Sequence, residues 1–125
     1  MSKRILIIDD NDDSNQIFTH LLQKEGYQVT LAKNGDEGFE KIAQSRPDLI
    51  LLDVMLPGIN GFEVCRRIKN DLSLQSIPIF IMTSGIDPDL QGEGLNVGAE
   101  ELFTKPIRSP HLMAKIRSYL ARPTP

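Results

Sequence analysis

Short apolar runs, each closed by a polar or charged residue, recur along the 125-residue chain and are separated by segments of helical periodicity. Runs 5–8, 49–52 and 77–82 are continuous rather than alternating and are rich in Ile and Leu. Such runs suit strands buried on both faces, as in a parallel sheet covered by helices. Residues 27–32 alternate instead, with Tyr27, Val29 and Leu31 set against Gln28 and Thr30, which predicts a strand near a sheet edge. A weaker fifth run covers 101–104.

The intervening segments carry apolar stripes. Ile17, Phe18, Leu21 and Leu22 form one, with Gly26 as its stop. Phe39, Ile42 and Ala43 form a second that ends before Pro47, and Phe62, Val64, Cys65 and Ile68 form a third. The last helix is expected to start with Ser109 as N-cap and Pro110 at its first position, followed by Leu112, Ile116 and Leu120. A fourth helical segment, 87–97, contains Pro88, Gly92 and Gly94, and each interior glycine costs about 1 kcal/mol relative to alanine. It should be short, late-starting or mobile. The order is therefore β-α five times, and right-handed crossovers give a three-layer α/β sandwich with a parallel sheet.

An apolar fraction of 40% and a charged fraction of 25% fit one globular domain, expected over 1–121 with a short tail at 122–125. No run is long enough to insert in a membrane, and no signal-peptide layout opens the chain. Cys65 is the single cysteine, so no intrachain disulfide can form, which suits the cytoplasm. A formal charge of −3 argues against nucleic acid as the direct partner. His20 lies off its stripe and reads as a solvated surface residue; Cys65 reads as packing.

Ligands of an open parallel sheet bind beyond the carboxyl ends of its strands. Those ends carry Asp9 and Asp10 (then Asn11, Asp12 and Asp13), Asp53, Thr83 with Ser84, and Lys105 with Pro106. Two carboxylates about 5 Å apart repel by roughly 3 kcal/mol at an effective dielectric near 20. Asp9, Asp10 and Asp53 thus need cations: Lys105 supplies one charge, and a hard divalent ion, magnesium or manganese, supplies the rest. A carboxylate can act as a nucleophile and become an aspartyl-phosphate, whose oxygens would need the metal, the Lys105 ammonium and the Thr83 hydroxyl. A nucleotide site would need a glycine-rich phosphate loop, and neither common pattern occurs. A hydrolase with an aspartate nucleophile would commonly carry a second acid two positions later, where this chain has Met55.

Taken together, Ile7-Ile8-Asp9-Asp10, Asp53-Val54-Met55-Leu56-Pro57-Gly58 with Gly61, Thr83-Ser84 and Lys105-Pro106 resemble the receiver domain of bacterial two-component response regulators. Their spacings of 43, 30 and 22 residues between Asp10, Asp53, Thr83 and Lys105 agree with that family. The resemblance covers essentially the whole chain and implies a flavodoxin-like fold with strand order 2-1-3-4-5. It implies that Asp53 accepts a phosphoryl group from a sensor histidine kinase, a phosphotransfer protein or a small donor. Asp9 and Asp10 would hold the metal with Asp53 and the main-chain carbonyl of Met55. Thr83 and Lys105 would contact the phosphoryl oxygens, making the chain a signalling phosphoacceptor rather than an enzyme. An unidentified downstream protein would read the fourth helix, fifth strand and fifth helix. The family usually has an aromatic residue three positions before the lysine; here Leu102 stands there and Phe103 follows. Neighbours in a strand face opposite ways, so Phe103 is not expected to substitute. The alternative is a docking module that keeps the fold without phosphorylation.

Overall fold

The computed structural model describes residues 2–83 and 96–121. Strands β1 (Arg4–Ile8), β2 (Gln28–Ala32), β3 (Leu49–Asp53), β4 (Ile79–Thr83) and β5 (Glu101–Thr104) form one sheet in the order β2-β1-β3-β4-β5. All four pairings are parallel. The helices among the described residues are α1 (Asp12–Lys24), α2 (Gly35–Gln44), α3 (Gly61–Lys69) and α4 (Ser109–Leu120), the last helix of the chain. None is long and apolar enough to cross a membrane. Most of the helical segment expected at 87–97 lies outside the described residues, as do Ser84 and the tail 122–125.

The continuous apolar strands divide by parity between two cores, because successive side chains leave opposite faces of a sheet. Leu6, Ile8, Ile50, Leu52, Ile79 and Ile81 pack with Ile42 of α2 and with Phe62, Val64, Cys65 and Ile68 of α3. Ile5, Ile7, Leu49, Leu51, Phe80 and Met82 pack with Phe18 and Leu22 of α1 and with Leu112, Met113 and Ile116 of α4. These are the three expected layers, with β2 at an edge. The strand expected at 77–82 begins at Ile79, since Pro78 has no N–H for the ladder, although Ile77 stays buried.

Three local expectations are corrected. Ile17 is not on the buried stripe of α1 but 57% exposed; the buried line is Asn15, Phe18 and Leu22, spaced i, i+3, i+7. Ala43 is exposed, and α2 approaches the sheet through Gly35, Gly38 and Ile42. Side chains there would meet Ile59 and Ile8. Ser109 already lies within α4, and Arg108 occupies the cap position without a side-chain hydrogen bond. Proline is tolerated throughout a first turn, where its missing N–H has no intrahelical acceptor, so Pro110 could not fix the start to one residue. By contrast, the side chains of Asn11, Asn34 and Asn60 cap α1, α2 and α3, each accepting from a backbone N–H three residues on.

Candidate functional site

Parallel strands bring the carboxyl ends of β1, β3, β4 and β5 to one rim, and the predicted residues meet there. Asp9 follows β1 and is wholly buried. Its backbone N–H donates to the Ala32 carbonyl at 3.0 Å, and its Oδ1 accepts from the Asn11 N–H at 3.0 Å. Asp10, next in the chain, is exposed. Asp53 ends β3 and is buried; its Oδ1 accepts from the Met55 N–H at 3.2 Å. One carboxylate oxygen from each of Asp9, Asp10 and Asp53 lies within 4.8 Å of the others.

Lys105 is carried in by the pairing of β5 with β4: its N–H donates to the Thr83 carbonyl at 2.6 Å. Its Nζ then stands 3.2 Å from Asp53 Oδ2 and 3.5 Å from Asp9 Oδ2. Thr83, at the end of β4, is buried, and its strand neighbour Met82 is the register partner of Asp53. The Lys105–Pro106 peptide bond is cis. Burial, and then the charge of Asp9, push the Asp53 carboxyl above the ordinary aspartate range, while Lys105 and the Met55 N–H act in the opposite direction.

This donor set fits a hard divalent ion. Its atoms are carboxylate oxygens, and one lysine against three carboxylates leaves two negative charges uncompensated. Magnesium accepts such ligands beside water and phosphate.

The remaining predictions divide. Leu102 is half-buried against the core beneath α2 and α3, whereas Phe103 is buried in the other core, its ring 5.6 Å from that of Phe80 and 5.4 Å from that of His111. The two point to opposite faces, as expected. His20 is exposed, and Cys65 is buried. One contributor, Asn15, escaped the sequence reading, and Gly61 figures there only as part of a motif. Asn15 lies under the site, its Nδ2 donating to the Asp9 carbonyl at 2.8 Å; a polar residue in line with Phe18 and Leu22 was the available signal. Gly61 opens α3 directly against the backbone of Asp53, where a Cβ would overlap the Asp53 carbonyl.

The family described as "Response regulator receiver domain" matches residues 5–117. Response regulator PleD of Caulobacter vibrioides is 39% identical over 118 residues, 94% of this chain but 26% of that protein. Protein PilH of Pseudomonas aeruginosa is 36% identical over 94% of this chain and 98% of its own length. The crystal structure of a putative response regulator from Chloroflexus aurantiacus superposes with a TM-score of 0.92 at 30% identity, covering 98% of this chain and 100% of that one.

Proposed function

The chain belongs to the response regulator receiver family of two-component signalling, whose members are phosphoacceptors, and from that membership we propose that Asp53 is its phosphoryl acceptor. The carrying observation is convergence: Asp9, Asp10 and Asp53 within 4.8 Å of one another, with the Lys105 ammonium 3.2 Å from Asp53. The alternative of a docking module that works without phosphorylation is not favoured, because every acidic and basic position of the chemistry is kept.

In the proposed reaction an Asp53 carboxylate oxygen attacks the phosphorus of a phosphohistidine on a sensor kinase or phosphotransfer protein. The new P–O bond forms as the P–N bond breaks, and its electron pair stays on the imidazole nitrogen, which takes up a proton. Asp9, Asp10, Asp53 and the Met55 carbonyl would hold magnesium or manganese, which when bound offsets the charge of the phosphoryl oxygens. Lys105 Nζ, already beside Asp53 Oδ2, offers those oxygens a fixed positive charge. The Thr83 hydroxyl would donate to one of them and report phosphorylation. Burial keeps water from solvating the carboxylate nucleophile. The domain would thus assist its own phosphorylation, and its own dephosphorylation by water entering along the same line.

The receiver domain is taken as 1–121, and the cytoplasm, where sensor kinases present phosphohistidine, as its place of action. A protein partner would read the surface formed by the fourth helical segment, β5 and α4. With Leu102 at the usual aromatic position, the aromatic half of the family's switch is not expected to operate there; Phe103 packs instead in the opposite core against Phe80 and His111.

Intact mass after incubation with acetyl phosphate, with and without magnesium, tests the assignment beside Asp53→Ala. One added phosphoryl group that requires magnesium and vanishes in the variant is expected. A gain that persists in Asp53→Ala would overturn the role of Asp53.

A further inference from the structure

Lys105 follows directly on β5, an edge strand of four residues that pairs with β4 alone. Its reach to Asp53 therefore depends on the register of that pairing, Phe80 with Glu101 through Thr83 with Thr104. A short edge strand holds its register weakly, and a slip of one residue would turn every side chain to the other face.

The opposite end of β5 is tied unusually well. The Glu100 N–H donates to the Ile79 carbonyl at 2.9 Å, and Glu100 Oε1 accepts from the Ile79 N–H at 2.7 Å. Glu100 Oε2 accepts from Lys69 Nζ at 2.9 Å. The same ammonium donates to the carbonyls of Ile77 at 2.7 Å and Gln75 at 3.1 Å. All three of its protons thus have acceptors, and the Lys69 side chain is only 12% exposed. Gly98, at φ +91°, turns the chain against the Lys69 stem two residues before Glu100, where a Cβ would lie 3.1 Å from Lys69 Cγ. An exposed pair of this kind would contribute little. Here one lysine joins the end of α3, the loop before β4 and the start of β5, and one glutamate reads the first N–H of β4.

We propose that Lys69 and Glu100 are positioning residues for phosphoryl transfer: they fix β5 on β4 and so set the reach of Lys105 to Asp53. This rests on the assignment of Asp53 and Lys105 made above. Neither residue touches the reacting groups; both act through the strand.

The test is the rate of Asp53 phosphorylation by acetyl phosphate with magnesium, well below the melting temperature, in Lys69→Met and Glu100→Gln. Met keeps the apolar stem of Lys69, and Gln keeps an acceptor for the Ile79 N–H. Each should slow phosphorylation about three- to tenfold, short of the hundredfold that a full 1 Å misplacement can cost. The same substitutions in a Lys105→Met background should cause no further loss, a non-additivity that lowered stability alone would not produce. Wild-type rates in the folded single variants, or an equal additional loss without Lys105, would overturn the proposal. If Lys69→Met fails to fold, Glu100→Gln decides. A wild-type protein that takes up no phosphoryl group would instead overturn the reading of Asp53.

Discussion

The ammonium of Lys105 lies 3.2 Å from a carboxylate oxygen of Asp53, 52 residues away in the chain, and 3.5 Å from one of Asp9. One cation thus serves two buried carboxylates that repel each other. Removing it should leave both uncompensated. Lys105→Met is expected to destabilise the metal-free protein by about 2 kcal/mol, less than the 3–5 for a fully buried pair because the lysine is partly solvated. Magnesium should restore most of that loss by supplying the missing charge. Denaturant melts of both proteins, with and without the ion, measure it, and an undiminished deficit in magnesium would contradict this account.

Asp53 should make stability depend on pH in a definite direction. Its folded carboxyl is held above the ordinary range by burial and by Asp9. The native state therefore holds that proton more tightly than the unfolded chain. Its contribution to stability is greatest where the carboxyl is protonated, and it falls as pH rises from the ordinary aspartate range through the raised value. Without metal, Asp53→Asn should melt above the wild type at neutral pH, and the advantage should shrink as pH falls through the raised value, levelling off below about pH 4. Thermal melts across that range would show an undiminished advantage if the ionisation were not its source.

Asp10 differs from its neighbours in being exposed. Asp10→Asn should change metal-free stability by less than about 0.5 kcal/mol, as surface substitutions usually do. Magnesium affinity should fall by roughly tenfold or more, the scale seen when even supporting groups of a metal site are lost. Titration calorimetry reads the second quantity and melting the first; unchanged affinity would remove Asp10 from the ligand set.

Much of this arrangement was legible because the strands announce themselves. Continuous apolar runs mark β1, β3 and β4, whose polar ends are Asp9, Asp53 and Thr83, while Lys105 follows the weaker run of β5. The helices were less legible. Ile17, Phe18, Leu21 and Leu22 make a broad stripe, and only docking onto the sheet decides which edge meets solvent. It is Ile17 that does, while Asn15 turns inward to hold Asp9. Clearances between backbones, such as that at Gly61, leave no periodic trace.

That clearance makes Gly61 a test of how tightly α3 seats the nucleophile. Its N–H donates to the Val54 carbonyl at 2.9 Å, and a Cβ would overlap the Asp53 carbonyl oxygen and sit 2.9 Å from Val54 Cα. Backbone cannot rotate aside. Gly61→Ala should cost about 1–3 kcal/mol, as overpacking does, and should also slow phosphorylation by moving Asp53. Gly38→Ala is the control: its Cβ would meet the Ile8 side-chain end, which can shift. Phosphorylation should survive there, and equal losses in both variants would show that the contact at Asp53 is not special.

Cys65 closes the core beneath α3, its Sγ 3.5 Å from the Val97 carbonyl. Its thiol is pushed up to about 12, chiefly by burial, with Lys69 opposing and Glu100 adding to the rise. The nucleophilic thiolate is therefore scarce at neutral pH, and access requires α3 to open from the sheet. Alkylation of the native protein should run at least a thousandfold slower than in the unfolded chain, the ratio for an opening free energy above about 4 kcal/mol. Mass-detected labelling against denaturant reads this directly. The rate should rise with denaturant as the core opens, and rapid labelling in buffer alone would mean that α3 does not seal its own face of the sheet.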